Sequence, residues 1–250
     1  MTSPVVPDPS VVVEEVPEAR HVLVVAAHPD DVDFGAAGTV AAWVKAAVHV
    51  SYCIVTDGDA GGSDRDITRE EMARIRRQEQ REAAATVGVS DVEFLGYPDG
   101  LLTASMELRR DLSRVIRRLR PDRVLAQSPE RNWGRIRASH PDHLAAGEAA
   151  LCAVYPDSRN PFAHPELLEE GLEPFSVPEL WLMAAPEVTH AVDVTDTFAL
   201  KVAALRCHRS QVGEGNELDD RLRGWLAAEA RRVGLPDSRL AESFRVVRID

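Results

Sequence analysis

Two short stretches carry side chains suited to chemistry: His28-Pro29-Asp30-Asp31 and Ser139-His140-Pro141-Asp142-His143. His28 and Asp31 are three residues apart, and so are His140 and His143. On the first turn of a helix, residues i and i+3 lie on one side, so each pair can converge on a point. A catalytic zinc takes three protein ligands from His, Asp or Glu and keeps a fourth position for water. His28, Asp31 and one of the two later histidines complete such a set. Asp30 and the other histidine are left over. Metal-assisted hydrolysis needs a base for water, and a cation or acid for the oxyanion and leaving group. The leftover pair matches those needs.

Two blander explanations compete. A lone His-Pro-Asp-Asp can be a helix N-cap, because Asp caps well and Pro suits the first turn. An acidic pair after a first strand can also be a magnesium site of the phospho-receiver kind. Two such turns in one chain weaken the first explanation. The second has no use for three histidines, since imidazole suits zinc and oxygen-only sites suit magnesium.

The elements around the turns argue for one architecture. Val22 to Ala27 is a short β-branched run of the kind buried on both faces of a sheet. A small-residue helix follows, from about Asp33 to Ala47. Val48 to Val55 is a second strand, with Cys53 in a core. Thr56 to Asp66, rich in Gly and Asp, is a loop on the rim that holds His28. Thr68 to Val87 reads as a helix, with Thr68 and Glu71 as a capping box and Met72, Ile75, Ala83 and Val87 in its buried stripe. Val92 to Leu95, Val124 to Ala126, Leu180 to Ala185 and His190 to Val194 read as strands, and Phe244 to Ile249 as a last strand or tail. Met106 to Leu119, the Ala-rich run after His143, Phe198 to His208 and Leu218 to Val233 read as helices. Strands alternating with helices imply an α/β fold with a mainly parallel sheet. In such sheets, sites lie beyond the carboxyl ends of the strands. Pro156 to Pro178, with five prolines, reads as a long connection and a candidate flap over the site.

The chain has 250 residues, 44% of them hydrophobic, which suits one domain. Residues 1–18, proline-rich and aperiodic, read as a flexible N-terminal arm before a single domain over 19–250. The formal net charge of -12 disfavours a nucleic-acid partner. No apolar run reaches the length of a membrane span, and the first ten residues lack the regions of a signal peptide. Cys53, Cys152 and Cys207 form neither a zinc pattern nor a disulfide framework, in keeping with a cytoplasmic setting. Lysine occurs only at Lys45 and Lys201, and the arginine excess reads as genome bias. Self-association into a homo-oligomer is left open.

With these motifs in hand, the chain resembles the PIG-L or LmbE-like family of zinc-dependent N-acetylglucosaminyl deacetylases. The resemblance rests on AHPDD at 27–31, the Thr56-Asp57-Gly58 loop, Arg76-x-x-Glu79-x-x-x-Ala83, YPDG at 97–100, SHPDH at 139–143 and HRSQ at 208–211. It implies a Rossmann-like three-layer αβα sandwich. It implies one Zn2+ per chain, with iron(II) as the other candidate, held by His28, Asp31 and His143. It implies Asp30 as general base, His140 as oxyanion stabiliser or proton donor, and Asp142 holding His140 in its charged form. Asp99 and Arg76 stand where relatives contact the sugar, so an amino-sugar or sugar-conjugate substrate is implied. Hydrolysis of an N-acetyl amide is the activity this implies. An amidase acting on a thiol-sugar conjugate, a natural-product tailoring deacetylase and a catalytically silent metal-binding scaffold are the alternatives. Some members carry a tyrosine two positions before the second-turn histidine, where this chain has Ala138. His208, Ser210 and Gln211 receive a structural role, since a helix C-terminus readily takes a His.

Overall fold

The computed structural model describes residues 10–15, 17–62, 64–213 and 217–249. Its strands are β1 (Val12–Val13), β2 (His21–Ala26), β3 (His49–Thr56), β4 (Asp91–Tyr97), β5 (Arg123–Gln127), β6 (Glu179–Met183), β7 (His190–Asp193) and β8 (Ala241–Arg248). Its helices are α1 (Asp31–Lys45), α2 (Arg69–Thr86), α3 (Met106–Leu119), α4 (Pro141–Cys152), α5 (Glu166–Glu169), α6 (Phe198–Cys207) and α7 (Glu217–Arg232). The strands form one sheet in the order β1-β7-β8-β6-β5-β2-β3-β4. Among the described residues, only β8 runs antiparallel to its neighbours, β6 and β7.

Alternation along β2 divides the core into two layers. Val22, Val24 and Ala26 face a cluster completed by α1, α2, α6 and α7. Leu23, Val25 and Ala27 face one completed by α3 and α4. Helices therefore cover both faces, and the α/β sandwich expected from the sequence is the one observed. From β2 the chain moves outward through β3 to β4, then crosses back to β5 on the other side of β2. This reversal opens a crevice between the carboxyl ends of β2 and β5, the usual place for a site in an open sheet. Gln127, at the end of β5, ties the two ends together by accepting the Ala27 N–H at 2.9 Å.

The helix starts follow local rules. Thr68 Oγ1 accepts from the Glu71 N–H, and Ser105 Oγ from the Leu108 N–H. His140 is the N-cap of α4, and Pro141 occupies its first turn. Gly147 lets α4 lie directly against the end of β5, because a Cβ there would strike the Gln127 carbonyl oxygen.

Two expectations from sequence need correction. Within the proposed arm 1–18, residues 1–9 and 16 lie outside the described residues, but Val12 and Val13 form an edge strand on β7. Glu14 accepts from Trp43 Nε1 at 2.7 Å and pairs with Arg123 at 2.9 Å, which ties that segment to the sheet. The connection 156–178 is not a flap over the histidine turns. Arg117 on α3 donates to the carbonyls of Ser158, Asp157, Asn160 and Ala163, and Arg109 grips Asp157, so the segment is strapped to α3. Lys201 has a structural place that composition does not show. Only 1% exposed, it pairs with Glu242 at 2.7 Å and donates to the carbonyls of Asp33 and Phe34.

Glu242 in turn accepts the N–H groups of Gly38 and Thr39, so this ion pair pins the middle of α1. Removing one partner of a buried pair strands the other charge. Lys201→Met is expected to lower unfolding stability by about 3–5 kcal/mol in chemical denaturation. A loss within ~0.5 kcal/mol of wild type would show that the pair does not hold α1.

Candidate metal centre and catalytic site

The two turns emerge on either side of the crevice and meet. His28 leaves the end of β2, and Asp31 opens α1. The Asp31 carboxylate accepts the His28 N–H at 2.7 Å, and its Oδ2 lies 3.2 Å from His28 Nδ1. Its other oxygen, Oδ1, lies 3.0 Å from His143 Nε2 on the first turn of α4. One carboxylate thus spans an imidazole from each turn. The rings of His28, His140 and His143 stand 5.1 to 5.4 Å apart, centre to centre.

The hydrogen bonds at the back of each ring decide which nitrogen faces the centre. His143 Nδ1 lies 3.1 Å from the Ala138 carbonyl, to which only an N–H can donate, so Nε2 is the free donor atom. His28 Nε2 lies 3.1 Å from both Asp99 Oδ1 and Asp142 Oδ2, leaving Nδ1 beside Asp31. A carboxylate behind a metal-binding imidazole is the usual supporting arrangement. Without a cation, Nδ1 of His28 and Nε2 of His143 each face a carboxylate oxygen and must be protonated. Burial opposes that charge on His28, but the Asp31 and Asp99 carboxylates raise it to about 11. Burial likewise opposes a proton on His143, and Asp31 again raises it. For Asp31 burial is overcome by His143 and His28, which hold its carboxyl well below the usual range. Two imidazole nitrogens and a carboxylate at these positions fit a divalent cation of the zinc type, which would replace those protons.

A cation that competes with protons binds more tightly as they are removed. His28, raised to about 11, is protonated at neutral pH, and His143, raised in the same direction, holds its proton to higher pH than a free imidazole. Metal affinity is therefore expected to increase between about pH 5 and about pH 8, measured by competition with a chromogenic chelator. A flat profile would contradict the proton count.

Asp30 sits beside this centre without joining it. It is the N-cap of α1 in a left-handed conformation, φ 94 and ψ -24, and its side chain caps nothing. Such a backbone costs about 1–3 kcal/mol for a residue other than Gly and persists only where neighbours enforce it. Arg76, 4% exposed on α2, donates to the Pro29 carbonyl at 2.5 Å and to Asp30 Oδ2 at 3.2 Å. It also donates to the Gly58 carbonyl at 3.0 Å. Gly58 has φ 64, and a Cβ there would lie on the Arg76 guanidinium, which explains the glycine after Asp57. Burial and the adjacent Asp31 charge raise Asp30 to about 7, against the pull of Arg76.

The remaining side chains take places the sequence did not foresee. Asp142 does not hold His140 in a charged form. Its carboxylate faces His28 and accepts the N–H groups of Gly100 and Leu102, while its own N–H donates to His140 Nδ1 at 3.2 Å. His140 is then neutral with its proton on Nε2, and burial and the nearby His28 lower its pKa. Asp99 is 8% exposed, accepts the Ala60 N–H and faces His28, and the guanidinium of Arg76 is engaged with Asp30 and the Gly58 loop. Ala138 supplies its carbonyl to His143.

Sequence reasoning missed Gln80 and Asp33. Gln80 Oε1 accepts the Asp30 N–H at 2.8 Å, and its Nε2 donates to Asp33 Oδ2 at 2.9 Å. His208 Nε2 reaches the same oxygen at 2.8 Å, and Ser210 holds Glu79. The signal was present in α2. Its buried face carries Arg76, Glu79 and Gln80 among Met72, Ala83 and Ala84, and three polar residues on a core face need partners.

A family model described as "PIG-L: GlcNAc-PI de-N-acetylase" matches residues 23–154. The chain belongs to the PIG-L family. It is 31% identical over 197 residues to the diacetylchitobiose deacetylase of Thermococcus kodakarensis, a match covering 79% of this chain and 72% of that protein. It is 32% identical over 199 residues to a probable N-acetyl-alpha-D-glucosaminyl L-malate deacetylase 2 of Bacillus anthracis, covering 77% and 81%. Its structure superposes on the N,N'-diacetylchitobiose deacetylase of Pyrococcus horikoshii with a TM-score of 0.85 at 33% identity, over 92% of this chain and 85% of that one. The PIG-L match includes both histidine turns, Asp30, Arg76 and Asp99.

Proposed function

We propose that this PIG-L protein is a metal-dependent N-deacetylase. It hydrolyses the acetamide of an N-acetylglucosamine-type sugar or sugar conjugate to acetate and a free amine. The observation that carries this is the Asp31 carboxylate, placed between His28 and His143 from two remote turns, with the Arg76-bound Asp30 beside it. The relatives, named as deacetylases of diacetylchitobiose and of a glucosaminyl malate, support the bond and the substrate class.

His28 Nδ1, Asp31 and His143 Nε2 would hold the ion, and their nitrogen content favours zinc, with iron(II) as the other candidate. Such an ion lowers the pKa of a water and polarises an amide carbonyl. Asp30 takes the proton from the attacking water. Its position near pH 7 matches that task, because a base works best when its pKa is close to the operating pH. The water oxygen adds to the carbonyl carbon, and His140 donates a hydrogen bond from Nε2 to the resulting oxyanion. Asp30 returns the proton to the amide nitrogen as the C–N bond breaks. Asp99 and Asp142 keep His28 oriented. The sugar-contacting role that the sequence motifs imply for Asp99 and Arg76 is part of this proposal.

Among the described residues no helix is long and apolar enough to cross a membrane. A cytoplasmic enzyme of small-molecule metabolism fits this reading. A panel of N-acetylated sugars incubated with the zinc-loaded chain tests it by mass. Loss of an acetyl group from at least one is expected. No product from any of them at full metal occupancy would favour a silent scaffold.

A further inference from the structure

We infer that Gln80 is a positioning residue for Asp30, an inference that rests on the proposed role of Asp30 as the base. Gln80, Asp33 and His208 are each fully buried, at 0% exposure, and come from α2, α1 and the end of α6. They form one chain of hydrogen bonds: His208 Nε2 to Asp33 Oδ2 at 2.8 Å, Gln80 Nε2 to the same oxygen at 2.9 Å, and the Asp30 N–H to Gln80 Oε1 at 2.8 Å.

The polarity of the two links at Gln80 is settled by the Asp30 N–H, which can only donate. Asp33 Oδ2 accepts, so the Gln80 NH2 must point at it, and the amide oxygen must point at Asp30. A side-chain amide offers both a donor end and an acceptor end, as these two links require. Gln80 thereby satisfies the N–H of a residue at φ 94, a donor that the helical hydrogen-bond ladder leaves without an acceptor. Arg76 holds the carboxylate of Asp30, and Gln80 holds its backbone. Together they set the direction from which the carboxylate approaches the water. His28, Asp31 and His143 reach the metal position by other contacts, so the clamp bears on proton transfer and not on metal retention.

The test uses the full-length chain with zinc added. In Gln80→Met the Asp30 amide is expected to exchange with solvent at least about tenfold faster than in wild type, read by NMR. The kcat for amine release is expected to fall about 10–100-fold, with KM and zinc content within about threefold, since a misplacement near 1 Å costs that order of rate. In an Asp30→Asn background, the same substitution should change kcat less than about twofold, because the two residues act as one unit. Unchanged exchange at Asp30 overturns the inference. So does an equal loss of kcat in both backgrounds, which marks a general structural effect. If wild type releases no amine, the deacetylase reading fails while the exchange measurement still decides the clamp. If Gln80→Met does not fold, Gln80→Leu serves. It also removes the acceptor for the Asp30 N–H, so faster exchange and lower kcat are expected again, and wild-type values for both overturn the inference.

Discussion

Asp30→Asn is expected to lower kcat by about 10²–10⁴-fold while bound zinc stays at the wild-type level. Asn keeps the shape of Asp30, its backbone link to Gln80 and a contact for Arg76, and removes the proton acceptor. Asp30 approaches the metal position through none of the contacts that define it, which run from Asp31 to His28 and His143. Rate and metal content should therefore separate. Steady-state amine release and elemental analysis on the same preparation measure both. A rate within about threefold of wild type would remove Asp30 from the proton transfer, and loss of zinc would make it a ligand.

His143→Ala should affect both quantities together. This imidazole is anchored by the Ala138 carbonyl and aims its other nitrogen at Asp31. Its removal leaves one imidazole and one carboxylate. Changes to outer partners of a metal site already cost 10–100-fold in affinity, so loss of a ligand is expected to cost more than about 100-fold. Amine release should fall to background at any zinc concentration that wild type needs for saturation. Zinc titration followed by a competing chelator measures the affinity. An unchanged zinc affinity would move the ion to the other set that the sequence left open, His28 and Asp31 with His140.

The chemistry legible in the sequence was local. His28 with Asp31, and His140 with His143, share a helical first turn, so covalent geometry alone places each pair on one side. The parallel sheet was legible for a similar reason, since β2 is an uninterrupted apolar run between two turns. Pairings across elements were not. Nothing in the spacing of Asp142 says that its carboxylate turns to His28 and leaves His140 a backbone N–H. Asp33, Gln80 and His208 meet only because α1, α2 and α6 pack together on one face of the sheet. Val12 and Val13 show no strand pattern because two residues carry no period, and they pair through the open edge of β7. The connection at 156–178 was misplaced because its proline content describes irregular backbone and not the surface it lies on. Its anchor, Arg117, sits on α3 and looks in the sequence like one more solvated arginine.

Zinc titrated into metal-stripped wild-type protein, with amine release from an N-acetylated amino sugar followed at each addition, bears most directly on the meeting of the two turns around one ion. Activity should rise from background in proportion to bound zinc and level off at one equivalent per chain. Full activity in the stripped protein, or one bound equivalent with no amine released from any N-acetyl sugar offered, would contradict it.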